Sequence, residues 1–157
     1  MNTLQYWHPV IQSKKLGRKP VCIKLCGQEI VLFRGEQNSI GALKNSCPHR
    51  GMRLSEGWIK DNRLVCPYHG WSYDCDGKGF SPSTPQLHVC AQRFDIVERY
   101  GAIWIKSFDS QAEFPQLDFS SYEYICTLEH HVDAPLGVDK YLSMEHGAPY
   151  LKISCAS

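Results

Sequence analysis

Two stretches constrain this 157-residue chain more than any other feature. "CPHRG" (Cys47–Gly51) and "CPYHGW" (Cys66–Trp71) each set a cysteine and a histidine in a run of proline and glycine, and only sixteen residues separate His49 from Cys66. Proline fixes one backbone angle and glycine frees another, so both stretches read as tight loops. Two thiols and two imidazoles delivered in pairs are a metal-ligand set. A fold that uses them must carry two short loops side by side at one tip.

The surrounding sequence supplies short β-type runs. "VCIKL" (Val21–Leu25) and "EIVLFR" (Glu29–Arg34) flank Cys26-Gly27-Gln28 and predict a hairpin. "IGAL" (Ile40–Leu43) leads into the first Cys/His loop and "RLVC" (Arg63–Cys66) into the second. "WSYDCDGKG" (Trp71–Gly79) leaves it and turns at Asp76-Gly77. "RFDIVER" and "AIWIK" flank Tyr100-Gly101, a further hairpin. Turn signals this closely spaced predict a small all-β sandwich or barrel. After Ser107 the character changes. "DSQAEFPQLD" (Asp109–Asp118) is polar and punctuated, and reads as a linker. Tyr124–Val132 reads as one more strand, and Asp133 followed by Pro135 as a helix start.

Composition narrows the function classes. The formal net charge is +1 without charge blocks, which gives no reason to expect nucleic acid or an anionic membrane as partner. No apolar run approaches the ~18 residues of a membrane span. The start, "MNTLQYWHPV", has no basic segment followed by an apolar one, so no secretory signal is expected and the cytoplasm is the expected compartment. In a reducing compartment, clustered Cys and His among the eight cysteines point to metal rather than to disulfides.

Cys47-x-His49 with Cys66-x-x-His69 fits two kinds of centre. Zinc takes four such ligands tetrahedrally, as in a zinc-stabilised binding module. A 2Fe-2S cluster of mixed ligation takes two cysteines on one iron and two histidines on the other. Zinc is indifferent to the loop residues around its ligands, whereas bridging sulfides need backbone N–H donors. Pro48 and Pro67 stiffen both turns, and Gly51 and Gly70 let backbone approach closely, a composition that favours the cluster.

These motifs resemble the Rieske domain of the Rieske-type non-haem iron oxygenases. "YWHPV" (Tyr6–Val10), "EIVLFR", "CPHRGMRLSEG" and "CPYHGWSYDCDGKG" carry the resemblance, over roughly residues 5 to 107. It implies an all-β, Rieske-type antiparallel β-sandwich with two cluster-binding loops, spanning 1–108. Residues 109–157 would be a linker and the truncated start of an oxygenase-like catalytic domain, a short strand–helix remnant. By resemblance, Cys47 and Cys66 bind the inner iron and His49 and His69 the outer one. Arg50, Gly51, Met52, Gly70 and Trp71 offer amides to the sulfides, and Tyr73 either bonds a ligand sulfur or is a core aromatic. Rieske proteins of the cytochrome bc complexes pin their loops with a disulfide at positions that fall here on Met52 and Tyr68, and they carry serine where this chain has Trp71. Fewer hydrogen bonds to the cluster imply a potential near the low end of the Rieske range, about −150 mV.

In that family a second iron is held by two histidines and a carboxylate. "KYLSMEHGAPYLK" (Lys140–Lys152) resembles a worn version of its helix: His146 falls on the first ligand position, Ser143 on the bridging carboxylate, and Tyr150 or Leu151 on the second histidine. The bland reading of His146 is a surface residue. The resemblance therefore implies an electron-transfer oxidoreductase without a functional mononuclear iron. Its donor would be a reductase or ferredoxin and its acceptor a terminal oxygenase; a stand-alone Rieske ferredoxin is the alternative, and homo-oligomerisation is left open. Cys22 and Cys26, four apart, would share a face of the first hairpin, where buried packing is expected ahead of an accessory metal site. Trp7, Trp58, Trp71 and Trp104 are expected in the core or supporting loops.

Overall fold

A computed structural model of the chain describes residues 3–118. Ten strands run in order: β1 (His8–Gln12), β2 (Val21–Leu25), β3 (Gln28–Arg34), β4 (Ile40–Lys44), β5 (Trp58–Lys60), β6 (Arg63–Val65), β7 (Ser72–Tyr73), β8 (Gly79–Phe80), β9 (Phe94–Arg99) and β10 (Ala102–Ser107). They pair antiparallel throughout, in three sheets ordered β1-β10-β9, β2-β3-β4 and β5-β6-β7-β8. The all-β antiparallel fold expected from the sequence is the one that forms. The strand and helix expected over residues 124–146 lie outside the described residues.

Three two-residue turns set the registers. Cys26-Gly27 closes β2–β3, Asp61-Asn62 closes β5–β6, and Tyr100-Gly101 closes β9–β10. All six turn residues have positive φ, between 50° and 75°, as the primed turns that match strand twist require. Gln28 is thus the first residue of β3, not part of the turn. Cys26, as a turn residue, is exposed, whereas Cys22 lies half-buried within β2. The shared face expected for that pair does not form, because strand alternation stops at the turn.

The middle sheet is buried on both faces. Along β3, Val31 and Phe33 enter one core with Leu43, Leu54, Leu64, Trp71, Tyr73 and Ala91. Their neighbours Ile30 and Leu32 enter a second core with Leu25, Ala42, Phe94, Ile103 and Ile105. This is why β3 reads as an unbroken apolar run instead of an alternating one. Cys47 and Cys66 belong to the first core, so the metal loops grow from the side of the molecule built by the β5–β8 sheet. The segment after β8 returns across the sheets: Gly79 N–H donates to Val89 O, Ala91 N–H to Gly77 O, and Lys44 N–H to Gln92 O.

Residues 109–118, read as a linker from their polarity, pack back on the sheet of β1, β9 and β10. Phe114 meets Trp7 and Trp104 edge-on at 5.3 and 5.2 Å, with the Arg99 guanidinium 5.0 Å from its ring. Trp7 Nε1 donates to Ala112 O. Lys106, 5% exposed, is ion-paired to Asp95 at 2.7 Å and donates to Ser110 O. Polar composition concealed one aromatic anchor and a buried lysine that ties the strap down. Trp58 also departs from expectation: it is 49% exposed on β5, an edge strand.

Candidate metal centre

The two Cys/His stretches fold as the same six-residue loop. In Cys47–Met52, Cys47 N–H donates to Met52 O at 2.8 Å and Gly51 N–H to Cys47 O at 2.7 Å. In Cys66–Trp71, Cys66 N–H donates to Trp71 O at 2.7 Å and Gly70 N–H to Cys66 O at 3.1 Å. Each loop therefore begins at its cysteine, takes proline second and glycine fifth. Gly51 and Gly70 sit at φ +72° and +71°, and an added Cβ would meet nothing closer than 3.7 Å. Glycine is required by the left-handed backbone, not by crowding. The amides of Gly51 and Gly70, offered to sulfides on the strength of the resemblance, close the turns of their own loops.

The loops deliver their side chains in two layers. Cys47 and Cys66 are each 2% exposed, within hydrogen-bonding reach of one another. The Tyr73 hydroxyl lies 3.1 Å from Cys47 Sγ, and the backbone amides of Tyr68 and His69 donate to Cys66 Sγ. Burial pushes the Cys66 thiol up, and those amides act against the shift. Burial also drives the Tyr73 phenol far above its usual range, so it stays protonated and can act as a donor toward Cys47 Sγ. Tyr73 is at once fully buried and bonded to a ligand-type sulfur, so the two readings of it coexist.

His49 and His69 form the outer layer, both exposed, with their Nδ1 atoms 3.2 Å apart. Each imidazole rests on an aromatic plate from the second loop. Trp71 stacks on His49 at 4.7 Å and 9°, and Tyr68 on His69 at 3.8 Å and 29°. Desolvation first, then the neighbouring His69 and Arg50, lowers the His49 pKa, which favours the neutral form that ligates metal.

This donor set fits a two-iron centre better than one zinc. With metal–nitrogen bonds of about 2.1 Å, nitrogens 3.2 Å apart subtend about 100° at a shared metal, close to tetrahedral. Among the described residues, however, no three His, Cys, Asp or Glu side chains converge where one ion could be held. A thiol pair inside and an imidazole pair outside is the division that two sulfide-bridged irons need.

Three candidate contributors were not read from the sequence. The Tyr68 and His69 amides were overlooked as sulfur donors, and so was the Tyr68 ring as a plate. The one available signal was loop alignment, which sets Tyr68 at the position His49 occupies in the first loop. Arg50 and Met52 are exposed at the tip, and neither amide is engaged by backbone oxygen. His146, Ser143, Tyr150 and Leu151 lie outside the described residues. None of the six described cysteines forms a disulfide; Cys75 is half-buried and Cys90 exposed.

A Rieske [2Fe-2S] domain family matches residues 6–100. The vanillate O-demethylase oxygenase subunit of a Pseudomonas species is 32% identical over 113 residues, which cover 71% of this chain and 32% of that protein. Methylxanthine N1-demethylase NdmA of Pseudomonas putida is 34% identical over 127 residues, covering 74% and 36%. Its solved structure superposes with a TM-score of 0.67 at 32% identity, over 76% of this chain and 40% of that one. Chlorophyllide a oxygenase of Oryza sativa is 32% identical over 157 residues, covering 95% of this chain and 29% of that protein. The chain spans about a third of the length of these curated relatives.

Proposed function

The chain belongs to the Rieske [2Fe-2S] domain family, and from that premise we propose that it is an electron-transfer module of a Rieske non-haem iron oxygenase system. The family binds a 2Fe-2S cluster, which supplies a one-electron couple. In this chain Cys47 and Cys66 hold the inner iron and His49 and His69 the outer one. The observation that carries this assignment is the pairing: two buried thiols in reach of each other, and two exposed imidazoles with facing Nδ1 atoms.

The chain's own groups tune that couple. The Tyr73 hydroxyl and the Tyr68 and His69 amides lower the negative charge on the two cysteine sulfurs, which favours the reduced form. Among the described residues three donors reach the cysteine sulfurs, and with no serine at the Trp71 position a potential near the low end of the Rieske range is expected, about −150 mV. Exposure of both histidines gives a redox partner direct access to the outer edge of the centre. The electrons come from a reductase or ferredoxin.

Residues 1–108 form the electron-transfer domain, with the strap of 109–118 packed on it. The resemblance to chlorophyllide a oxygenase runs over 95% of the chain, which supports reading the remainder as related to an oxygenase catalytic domain. Ser143 at the carboxylate position and Tyr150 or Leu151 at the second histidine position speak against a mononuclear iron held by these residues. Iron and acid-labile sulfide analysis of the purified chain tests both parts. Two irons and two sulfides per chain, with a reduced-state EPR signal averaging near g of about 1.9, are expected. One zinc and no sulfide would overturn the cluster. A third iron with oxygen uptake coupled to product would overturn the reading of the C-terminal part.

A further inference from the structure

We propose that Asn45 is a positioning residue that clamps the first metal loop and so fixes where His49 meets His69. This rests on the cluster reading above.

The two loops are supported very differently. The second loop stands on a ladder: Val65 pairs with Ser72 and Leu64 with Tyr73, directly beneath Cys66 and Trp71. The first loop has no such base. The strand before it, β4, belongs to the β2-β3-β4 sheet, and the strand after it, β5, belongs to the β5–β8 sheet. The bonds within Cys47–Met52 fix the loop's shape. They leave its tilt to whatever joins its stems.

Asn45 makes that join. It follows β4, lies two residues before Cys47 and is 3% exposed. Its Oδ1 accepts the Ser55 N–H at 2.8 Å and its Nδ2 donates to Ser55 Oγ at 3.0 Å. One amide thus binds both the backbone and the side chain of a residue three beyond Met52. The same Nδ2 reaches Glu29 Oε2 and Cys22 Sγ, each at 3.2 Å, and Asn45 N–H donates to Glu29 O at 2.9 Å. Arg53, on the far stem, is ion-paired to the same Glu29 at 3.2 Å. Both stems are therefore fastened to the β2–β3 hairpin, with Asn45 the buried member common to them. A side-chain amide does here what ladder hydrogen bonds do under the second loop.

The test uses the full chain. The native protein is examined first for the visible and EPR signature of the cluster; its absence would sink the cluster reading, and the Asn45 assignment with it. With the signature present, Asn45→Ala is compared with Ile103→Val, a core change in the β1-β10-β9 sheet, for the rate of bleaching by an iron chelator and for the reduced-state g values. Asn45→Ala is expected to bleach about 10- to 100-fold faster, with broadened or shifted g values, while Ile103→Val stays within about twofold of native. Should Asn45→Ala not fold, Ser55→Ala removes one arm of the clamp and is expected to bleach several-fold faster with a native fold. Native bleaching and native g values in the folded variant overturn the assignment. So does equal acceleration in Ile103→Val, since general loosening would then account for it.

Discussion

The Tyr73 hydroxyl lies 3.1 Å from Cys47 Sγ, so a side chain two residues beyond the second loop bonds the thiol of the first. The contact joins the loops from the core side and aims one hydrogen-bond donor at a sulfur that carries negative charge when it ligates iron. Replacing the hydroxyl should make reduction harder without disturbing the packing. Tyr73→Phe keeps the buried ring and leaves no unsatisfied donor. A hydrogen bond that favours the reduced form by about 1 kcal/mol corresponds to about 40 mV for a one-electron couple. The potential of Tyr73→Phe is therefore expected to fall by about that much in an EPR-monitored redox titration. An unchanged potential would mean that the hydroxyl does not bond the sulfur when iron is bound.

Gly51 and Gly70 give a second expectation, on assembly instead of tuning. Both hold φ near +70°, and space for a methyl group exists at both. An alanine there meets only the left-handed strain, about 1–2 kcal/mol. Gly70→Ala should lower the stability of the protein by that amount and reduce iron incorporation, because the turn that carries His69 is the one strained. Denaturant unfolding read alongside iron content checks both. Loss of iron with unchanged stability would point to a lost sulfide contact in place of backbone strain.

The loops and hairpins were legible because glycine and proline punctuate them. Cys26-Gly27 and Tyr100-Gly101 announced their turns, whereas Asp61-Asn62 was missed because its flanking strands are three residues each, too short to show a period. The cluster ligands were legible as a set because spacing along the chain is a one-dimensional signal. The groups that aim and support them were not. Asn45 and Ser55 are ten residues apart on stems in different sheets, and nothing local reveals that they touch. The glycines were legible but not their backbone angle, since composition does not reveal a positive φ. Where residues 109–118 go was not legible, because a polar count averages over Phe114, the residue that anchors the segment.

That segment supplies a third expectation. Phe114 is half-buried between Trp7 and Trp104, with Arg99 over its ring. Partial burial of an aromatic side chain and its ring contacts are worth about 1–3 kcal/mol. Phe114→Ala should cost that much if the strap and the sheet unfold as one unit. It should also open the bonds near Ser110 and Ala112 to hydrogen exchange ahead of global unfolding. Exchange on that segment as fast in the native chain as in Phe114→Ala would show that the strap is not held.

The pair Arg34–Glu98 predicts where acid weakens the fold. Arg34 joins both its NH groups to the Glu98 carboxylate at 2.9 and 3.0 Å, and its Nε donates to Leu16 O, so one guanidinium ties β3 to β9 and to the segment before β2. The bidentate bond to Arg34 holds the Glu98 carboxyl below its ordinary value, with slight burial acting the other way. A carboxyl depressed in the folded state stabilises the fold fully above its unfolded pKa of about 4.3, and that contribution disappears as pH falls through the lower folded value. The pair is partly exposed, so solvent screening limits it to about 0.2–1 kcal/mol. Native protein and Glu98→Gln should accordingly differ by that amount in denaturant unfolding at pH 7. The difference should shrink as pH falls below about 4.3 and vanish once Glu98 is protonated in both states. A gap that persists unchanged into strong acid would show that the substitution acts through packing and not through charge.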